Sequence, residues 1–389
     1  MAELRVLETG ELQEAAQLAD LVFRDQEQKS MGIAFPYIFA AEAPESLGVY
    51  DQGKLVAFMG IVPARITVGP AALQVYSIGS VCTHEDARGK GYASKLLDQA
   101  MSHMREAGAS LMLVSGDRSL YLRAGCRTFG QMRQYVLTPP TDALHILHHE
   151  INAEAAYRSR PAEAKDFSAM AGLYAQELTH YDLSLYDLSR LIQAEPLASC
   201  YKLSHRTWIA ERENGEAAAF AVIGVPYGEH VTAAPLVIEA AGEPAAIAAL
   251  CLKAMTEHGL KSLKFPVGLH RLELIQELDR SGFASEARAN EGTIKILDPA
   301  KLWQQLLPYL TDKNPGAARI SVTASADETS AALLLDGQTA AELSTDQLSA
   351  MIFQKMDAED GFKLPDELQK RLEGAFPIPF PFTGGLYYI

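Results

Sequence analysis

The chain is poor in cysteine, in positive charge and in long apolar runs, and each shortage closes off a class of protein. Four cysteines in 389 residues, Cys82, Cys126, Cys200 and Cys251, stand without C-x-x-C spacing or a nearby histidine pair. They are expected as buried free thiols, which argues against a disulfide frame and against a metal site. No stretch approaches the roughly 18 consecutive apolar residues of a membrane helix, and Met1-Ala2-Glu3-Leu4-Arg5 lacks the charged-then-apolar order of a leader. A soluble cytoplasmic protein with no membrane partner is expected. Lysine plus arginine number 34 against 49 aspartates plus glutamates, a formal charge of -15. With no basic stripe to neutralise phosphates, nucleic acid is not an expected partner. Such acidity ordinarily serves solubility, although it also concentrates a polycationic amine. The length and a 48% hydrophobic composition fit two or three domains with ample core.

What is present is concentrated between Val81 and Leu97, which reads V-C-T-H-E-D-A-R-G-K-G-Y-A-S-K-L-L. A strand ends at Val81-Cys82-Thr83, a polar turn follows, and Arg88-Gly89-Lys90-Gly91-Tyr92-Ala93 leads into a helix. Ala93, Leu96, Leu97, Ala100, Met101 and Met104 form one apolar stripe along that helix. Gly89 and Gly91 let the backbone approach an anion, and the amides of Lys90 to Ala93 lie unpaired at the positive end of the helix. This is the pattern of a diphosphate cradle. A P-loop needs Lys-Ser or Lys-Thr after the last glycine, and a Rossmann turn needs a third glycine; neither is here. An ordinary helix start that happens to carry glycines is disfavoured by the strand, turn and helix around it.

Downstream, Ser110 to Val114 reads as a buried strand, and Ser115-Gly116-Asp117-Arg118-Ser119-Leu120-Tyr121 turns into a short helix with Tyr121 four residues before Gly125. A phenol of pKa ~10 lies close enough to a thiol of ~8.5 to protonate a departing thiolate. The simpler use of Tyr121 is packing against the strand.

The plan then recurs. The hairpin of Leu47 to Gly60 returns in Trp208 to Phe220, the helix end Met101 to Gly108 in Met255 to Gly259, and Tyr121 to Gly125 in Leu278 to Phe283. Between strand and helix the second copy carries Glu239-Ala-Ala-Gly-Glu-Pro-Ala245, two carboxylates and no R-x-x-G, which would repel a diphosphate. The joining stretch holds His145, His148 and His149 without a carboxylate or cysteine partner in spacing, as expected of a solvated hinge. Beyond Leu297-Asp298-Pro299, helices are expected over Lys301 to Leu310, Thr345 to Gln354 with a capping-box start, and Pro365 to Leu372. Strands are expected at Arg319 to Ala324 and Ala331 to Leu335. The last segment, Phe376 to Ile389, has five aromatics and three prolines, a composition for docking into a groove.

The Arg88 to Ala93 loop and the Tyr121 turn together resemble the GCN5-related N-acetyltransferases (GNAT), and the whole plan resembles their Eis (enhanced intracellular survival) group. That resemblance implies an α/β (α+β) fold. It would comprise a catalytic domain at 1–150, a degenerate copy at 151–298, and a small α+β unit of sterol-carrier-like character at 299–389 whose tail reaches the active site. It implies acetyl-coenzyme A as co-substrate and no metal, with Val81, Cys82, Thr83, Arg88, Gly89, Lys90, Gly91, Tyr92, Ala93, Ser115 and Gly116 around the cofactor. An amide of Val81 or Thr83 would hold the thioester carbonyl. Tyr121 would be the acid and the Ile389 carboxylate the base for direct attack by a primary amine of a small molecule or peptide. A carboxylate is a poor direct acceptor from an ammonium, so Ile389 would need desolvation or a water relay. Asp20, Asp25 and Glu27 read either as a charged hold on a cationic substrate or, more simply, as a solvated face. A homo-oligomer is compatible with the resemblance. Two other readings stay open: a longer acyl group, because the loop reads the diphosphate and not the acyl chain, and a coenzyme A-binding regulator without turnover, which has no need of Tyr121.

Overall fold

The hairpin expected after Ser46 forms as β2 (Leu47–Asp51) and β3 (Lys54–Val68), and the turn between them places Gln52 and Gly53 at positive φ, 53° and 77°. Two successive left-handed residues match the twist of the flanking strands, and glycine takes that geometry without a Cβ clash. The protein is described here by a computed structural model covering residues 2–139, 157–228, 231–325, 329–354 and 363–389. His145, His148 and His149 lie outside the described residues.

Among the described residues three sheets carry the fold. In the first, β1 (Glu3–Val6), β2, β3, β4 (Ala71–Thr83) and β5 (Leu111–Val114) lie in sequence order, antiparallel except for the parallel pair β4 and β5. The second sheet contains β6 (Met132–Leu137) and β7 (Arg158–Pro161). It continues with β9 (Leu203–Glu211), β10 (Ala217–Pro226), β11 (Leu236–Gly242), β12 (Leu263–Gly268) and β13 (Ala284–Arg288). The third is a small antiparallel sheet of β15 (Ile320–Ala324), β16 (Ser330–Leu335) and β17 (Gln338–Ser344).

Sheet membership does not follow the order of the two copies. Strand β6, from the end of the first copy, sits between β12 and β13 in the second sheet. In return β14 (Thr293–Ile296), from the end of the second copy, closes the first sheet against β5, with Thr293 opposite Val114. A third crossing comes from β8 (Thr179–Tyr181), which pairs with the far end of β3, Tyr181 facing Ile66. Each half therefore supplies a strand to the other's sheet and covers the edge that β5 or β12 would otherwise expose.

Helices cover the sheets where the apolar pattern says they should. Helix α1 (Leu12–Phe23) buries Leu12, Ala15, Ala16, Leu18 and Ala19. On the other side, α2 (Tyr92–Glu106) buries Leu96, Leu97, Ala100 and Met104. In the second half α3 (Pro244–Glu257) is apolar nearly all round and lies inside. Helix α4 (Pro299–Lys313), capped by the Asp298 side chain on the Lys301 amide, packs on β4. Helix α5 (Thr345–Phe353) takes its capping box from Ser344 and Gln347, one residue earlier than the sequence suggested. One core cluster runs from α1 through β3 and β4 to Trp303, Leu306 and the tail residues Phe380, Leu386, Tyr387 and Ile389.

One placement corrects the sequence reading. Glu239 is not in a loop before a helix; it lies within β11, and the turn proper is Glu243, whose carboxylate accepts from Tyr157 and Arg212. The run Glu239-Ala-Ala-Gly looks like a loop because alanine and glycine carry no β signal, yet it is paired to β10 along its length.

The exchanged strands give a direct expectation. Residues 1–139 and 157–389 produced as separate chains should each aggregate through the edges of β5 and β12, and should form a stable one-to-one complex when co-expressed. Size-exclusion chromatography decides; two soluble, non-associating monomers would contradict the exchange.

Candidate active site

The site begins as an irregularity in β4. Its register against β3 runs Val62 to Ser77, Ile61 to Ile78 and Gly60 to Gly79, then shifts, so that Phe58 faces Cys82. The extra residue is accommodated at Ser80, which takes a left-handed φ of 53°. On the other side the parallel pairing with β5 stops at Ile78 and Val114, where β5 ends and the chain turns through Ser115 and Gly116. Residues 79 to 83 thus leave their neighbour, and a wedge opens between two strands with β4 amides along one wall. Val81 and Thr83 are partly exposed on this stretch and Cys82 is buried. Sequence reasoning named the strand end but missed Gly79 and Ser80, because a bulge is defined only by a partner strand.

The glycine loop follows. A short 3-10 turn over Glu85–Ala87 is capped by His84, and Arg88, Gly89, Lys90 and Gly91 are all exposed. Gly89 and Gly91 have φ of 78° and 76°, and nothing lies within 4 Å of where a Cβ would be, so the backbone conformation and not crowding calls for glycine. Gly91 is the N-cap of α2 and supplies no side chain to its first-turn amides, and no acidic residue sits in that turn. The result is an uncapped helix N-terminus facing solvent, a ready anion site. Tyr92 and Lys90 are both tied back to Asp51, at 3.3 and 3.4 Å from Oδ2. Ala93 is partly exposed in the first turn.

Tyr121 lies on the short helix Ser119–Arg123, buried, its ring packed on Gly116 and its carbonyl accepting from the Cys126 amide at 3.0 Å. Burial pushes its phenol up to about 12, against a smaller lowering by Arg118. The gap to a thiol of ~8.5 thus widens to roughly 3.5 units, so the hydroxyl is suited to donate a hydrogen bond to sulfur charge as it develops more than to give up its proton early.

The tail arrives at the same wedge. The Ile378 amide donates to the Ile352 carbonyl, Asn290 Nδ2 donates to the Pro381 carbonyl at 2.8 Å, and Asn290 Oδ1 accepts from the Thr383 amide and hydroxyl. Tyr387 stacks on Tyr181 at 4.3 Å and 16°, and its hydroxyl donates to the Pro63 carbonyl. Ile389 is buried, and its carboxyl carbon occupies the space that a Cβ on residue 79 would need. Beside it is a cavity of about 20 Å³ bounded by Ser77, Ser115, Thr293, Thr383 and Tyr387. Thr293, on the exchanged strand β14, donates to the Gly116 carbonyl at 2.9 Å. Ser80 Oγ is buried with no hydrogen-bond partner.

On the far side of the Tyr181 and Tyr387 pair lies an open cleft of about 440 Å³. Glu42, Glu45, Asp182 and Asp187 line it, with Arg65 as the cation. Glu45 accepts from the Tyr76 hydroxyl at 2.8 Å and lies 2.6 Å from His103 Nε2. Asp187 accepts from the Tyr37 hydroxyl at 2.7 Å; burial works against its charge, but the hydrogen bonds from Ser184 and Tyr37 outweigh it and hold the carboxyl below its usual value. The acidic residues singled out in the sequence are elsewhere. Asp20 binds Ser30 and the Met31 amide, while Asp25 and Glu27 hold Lys202.

Residues 3–129 match the family described as acetyltransferase (GNAT) domain. The match covers about the first third of the chain, which thus carries a GNAT domain, and the whole is built as an α/β fold. Among solved structures, a probable N-acyltransferase from Enterococcus faecalis V583 aligns at 11% identity over 78% of this chain and 75% of its own, with a TM-score of 0.58. A GCN5-related N-acetyltransferase from Anabaena variabilis ATCC 29413 aligns at 10% identity over 88% and 85%, also at 0.58. The fold also resembles that of Eis1 from Mycobacterium abscessus, at 12% identity over 78% and 76%, with a TM-score of 0.51. Among curated proteins no sequence matches. Among the described residues no helix is long and apolar enough to cross a membrane.

Replacing Gly91 by Glu puts a side chain at positive φ, costing about 1–2 kcal/mol, and a negative charge at the helix N-terminus. The variant should stay folded and lose acetyl-coenzyme A binding by calorimetry. Wild type should bind one coenzyme A per chain, because the second half has Glu243 where the cradle would be; two equivalent sites would contradict that asymmetry.

Proposed function

We propose that the protein is an N-acetyltransferase that moves acetyl from acetyl-coenzyme A to a primary amine of a small molecule or peptide by direct attack. The observation that carries this reading is the C-terminal carboxylate of Ile389 lying on Gly79, where β4 leaves β5, with the glycine loop at one end of the wedge and Tyr121 packed at the turn that ends the other strand.

In this reading the pyrophosphate sits on the amides of Lys90 to Ala93, with Arg88 beside it, and the pantetheine arm runs along the free β4 amides, replacing the missing strand. The thioester carbonyl takes a hydrogen bond from Val81 or Thr83, and the Tyr121 hydroxyl faces the sulfur. The acceptor enters through the acidic cleft, where four carboxylates against one arginine favour a cationic amine. An alkylammonium must lose a proton first, at about 4.6 kcal/mol at pH 7. The cavity beside Ile389 has the volume of a single water and several polar walls, which suits a water-relayed transfer from the amine to the carboxylate. Residues 1–150 supply the chemistry, 151–298 support it without binding coenzyme A, and 299–389 deliver the tail.

A thiol-release screen of acetyl-coenzyme A against polyamines, aminoglycosides, lysine peptides and aminoacyl compounds tests the activity, and release with none of them overturns it. Tyr121→Phe should lower kcat by about 100-fold or more while acetyl-coenzyme A affinity changes by less than about twofold, because the hydroxyl acts in the transition state. Adding a few residues after Ile389 should depress kcat as well. A fully active extended enzyme removes the base, and an unimpaired Tyr121→Phe enzyme removes the acid.

A further inference from the structure

Behind the tyrosine pair sits a carboxylate with no part in the reaction described above. Glu239 projects from β11 into a small space of about 50 Å³ that the tail closes with Pro381 and Phe382. One carboxylate oxygen accepts weakly from the neighbouring Ala240 amide at 3.3 Å. The other faces Gly385 of the tail closely enough that a Cβ there would sit 3.2 Å from it. Arg271, the nearby cation, spends its guanidinium on the Ala240 carbonyl at 3.0 Å and on Glu177 at 3.1 Å. The other groups facing this space are Tyr174 and Tyr181, whose phenols burial raises, and His270, pushed down to about 4 by burial and so neutral. Tyr181 is the ring on which Tyr387 stacks.

We propose that Glu239 is a positioning residue for the C-terminal carboxylate: through Gly385, the second half of the molecule sets where Ile389 lies on Gly79. The inference rests on the base role given to Ile389, but its physical core, the seating of the tail, does not need that role. Four residues separate Gly385 from the chain end, too few to absorb a shift at one without moving the other.

The contact makes the seat sensitive to pH. Burial pushes Glu239 up to about 8, opposed by Arg271 and assisted by Glu177. With the tail seated the carboxyl is neutral below that value; with the tail lifted, water reaches it and its acidity returns towards the ordinary range. The seated state therefore binds the extra proton. Its advantage is full below the ordinary carboxyl value, declines as pH rises, and is gone above about 8.

Carboxypeptidase release of Ile389 from the full chain, divided by release from a free peptide of the tail sequence, reads the seat without reference to acetyl transfer. In wild type the ratio should rise about tenfold or more between pH 5.5 and 8.5. In Glu239→Gln, which keeps the shape and cannot ionise, it should stay low and flat. In Gly385→Ala, whose methyl would press on the Phe382 carbonyl as well as on the Glu239 carboxylate, it should be high at both pH values. An equal pH response in wild type and Glu239→Gln overturns the proposal, as does a Gly385→Ala tail as protected as wild type at pH 5.5. For the reaction, kcat relative to Glu239→Gln should fall over the same range with KM for acetyl-coenzyme A unchanged. If no amine is acetylated at all, the functional reading fails, and the release assay still decides the seating.

Discussion

The absence of a side chain at residue 79 lets the two ends of this fold meet. Gly79 lies where β4 has begun to bulge and has lost β5 as a neighbour, and any Cβ there would displace the carboxyl of Ile389. Several distant pieces of chain are arranged around that contact. The bulge at Ser80 turns the strand, β14 supplies Thr293 to fix the Gly116 turn, β8 supplies Tyr181, and Asn290 holds the tail at Pro381 and Thr383. Fixing a fourteen-residue tail costs roughly 1–2 kcal/mol of backbone entropy per residue. The buried Ile378, Phe380, Leu386, Tyr387 and Ile389 offset that cost, and the hydrogen bonds to Asn290 set the register.

What the sequence makes legible is local. The cradle is visible because two positive-φ glycines, an uncapped N-terminus and the stripe Leu96, Leu97, Ala100 and Met104 lie within sixteen residues of one another. Docking of the tail is visible in its composition, although its destination comes only with the resemblance. Pairings across the chain are not visible. Nothing near Met132 says that this strand will leave its own copy, and nothing near Thr179 says that it will extend β3. The acidic cleft was missed for the same reason: Glu45 and Asp187 are far apart in sequence, whereas Asp25 and Glu27 look like a cluster and spend their charge on Lys202. Glu239 was noticed for its charge and misplaced, because Ala240, Ala241 and Gly242 hide a strand.

The second half, which has Glu243 and no glycine loop at the start of its helix, has a structural use of its own. Its parallel pair β11 and β12 is registered only at Leu236 and Lys264, so it too splays, and the space that opens is closed by Pro381 and Phe382. The tail thus lies across both wedges, its middle in one and its end in the other. The strand exchange belongs to the same economy, since the halves cannot separate without exposing the edges of β5 and β12. The second half carries the Glu239 carboxylate inside β11, away from the Glu243 turn that stands where a cradle would be.

The arrangement also bears on whether transfer is direct or passes through an acylated side chain. The thiol nearest the wedge in sequence, Cys82, is buried on β4, and burial pushes it up to about 12; Cys126, behind Tyr121, is pushed up to about 11. Thiols with those values are protonated at neutral pH and poor nucleophiles. The Ser80 hydroxyl is buried too, and His84, close to it in sequence, caps the turn after β4, its Nδ1 accepting from the Asp86 amide. The glycine loop, where the proposed reading seats the cofactor, and the cleft that opens past Tyr387 are meanwhile separate approaches, with the tail between them. In the proposed reading, two substrates entering from different sides of the Ile389 carboxylate, with neither Cys82 nor Cys126 activated between them, meet each other before either meets the protein covalently, and direct attack of the amine on the thioester is the step proposed.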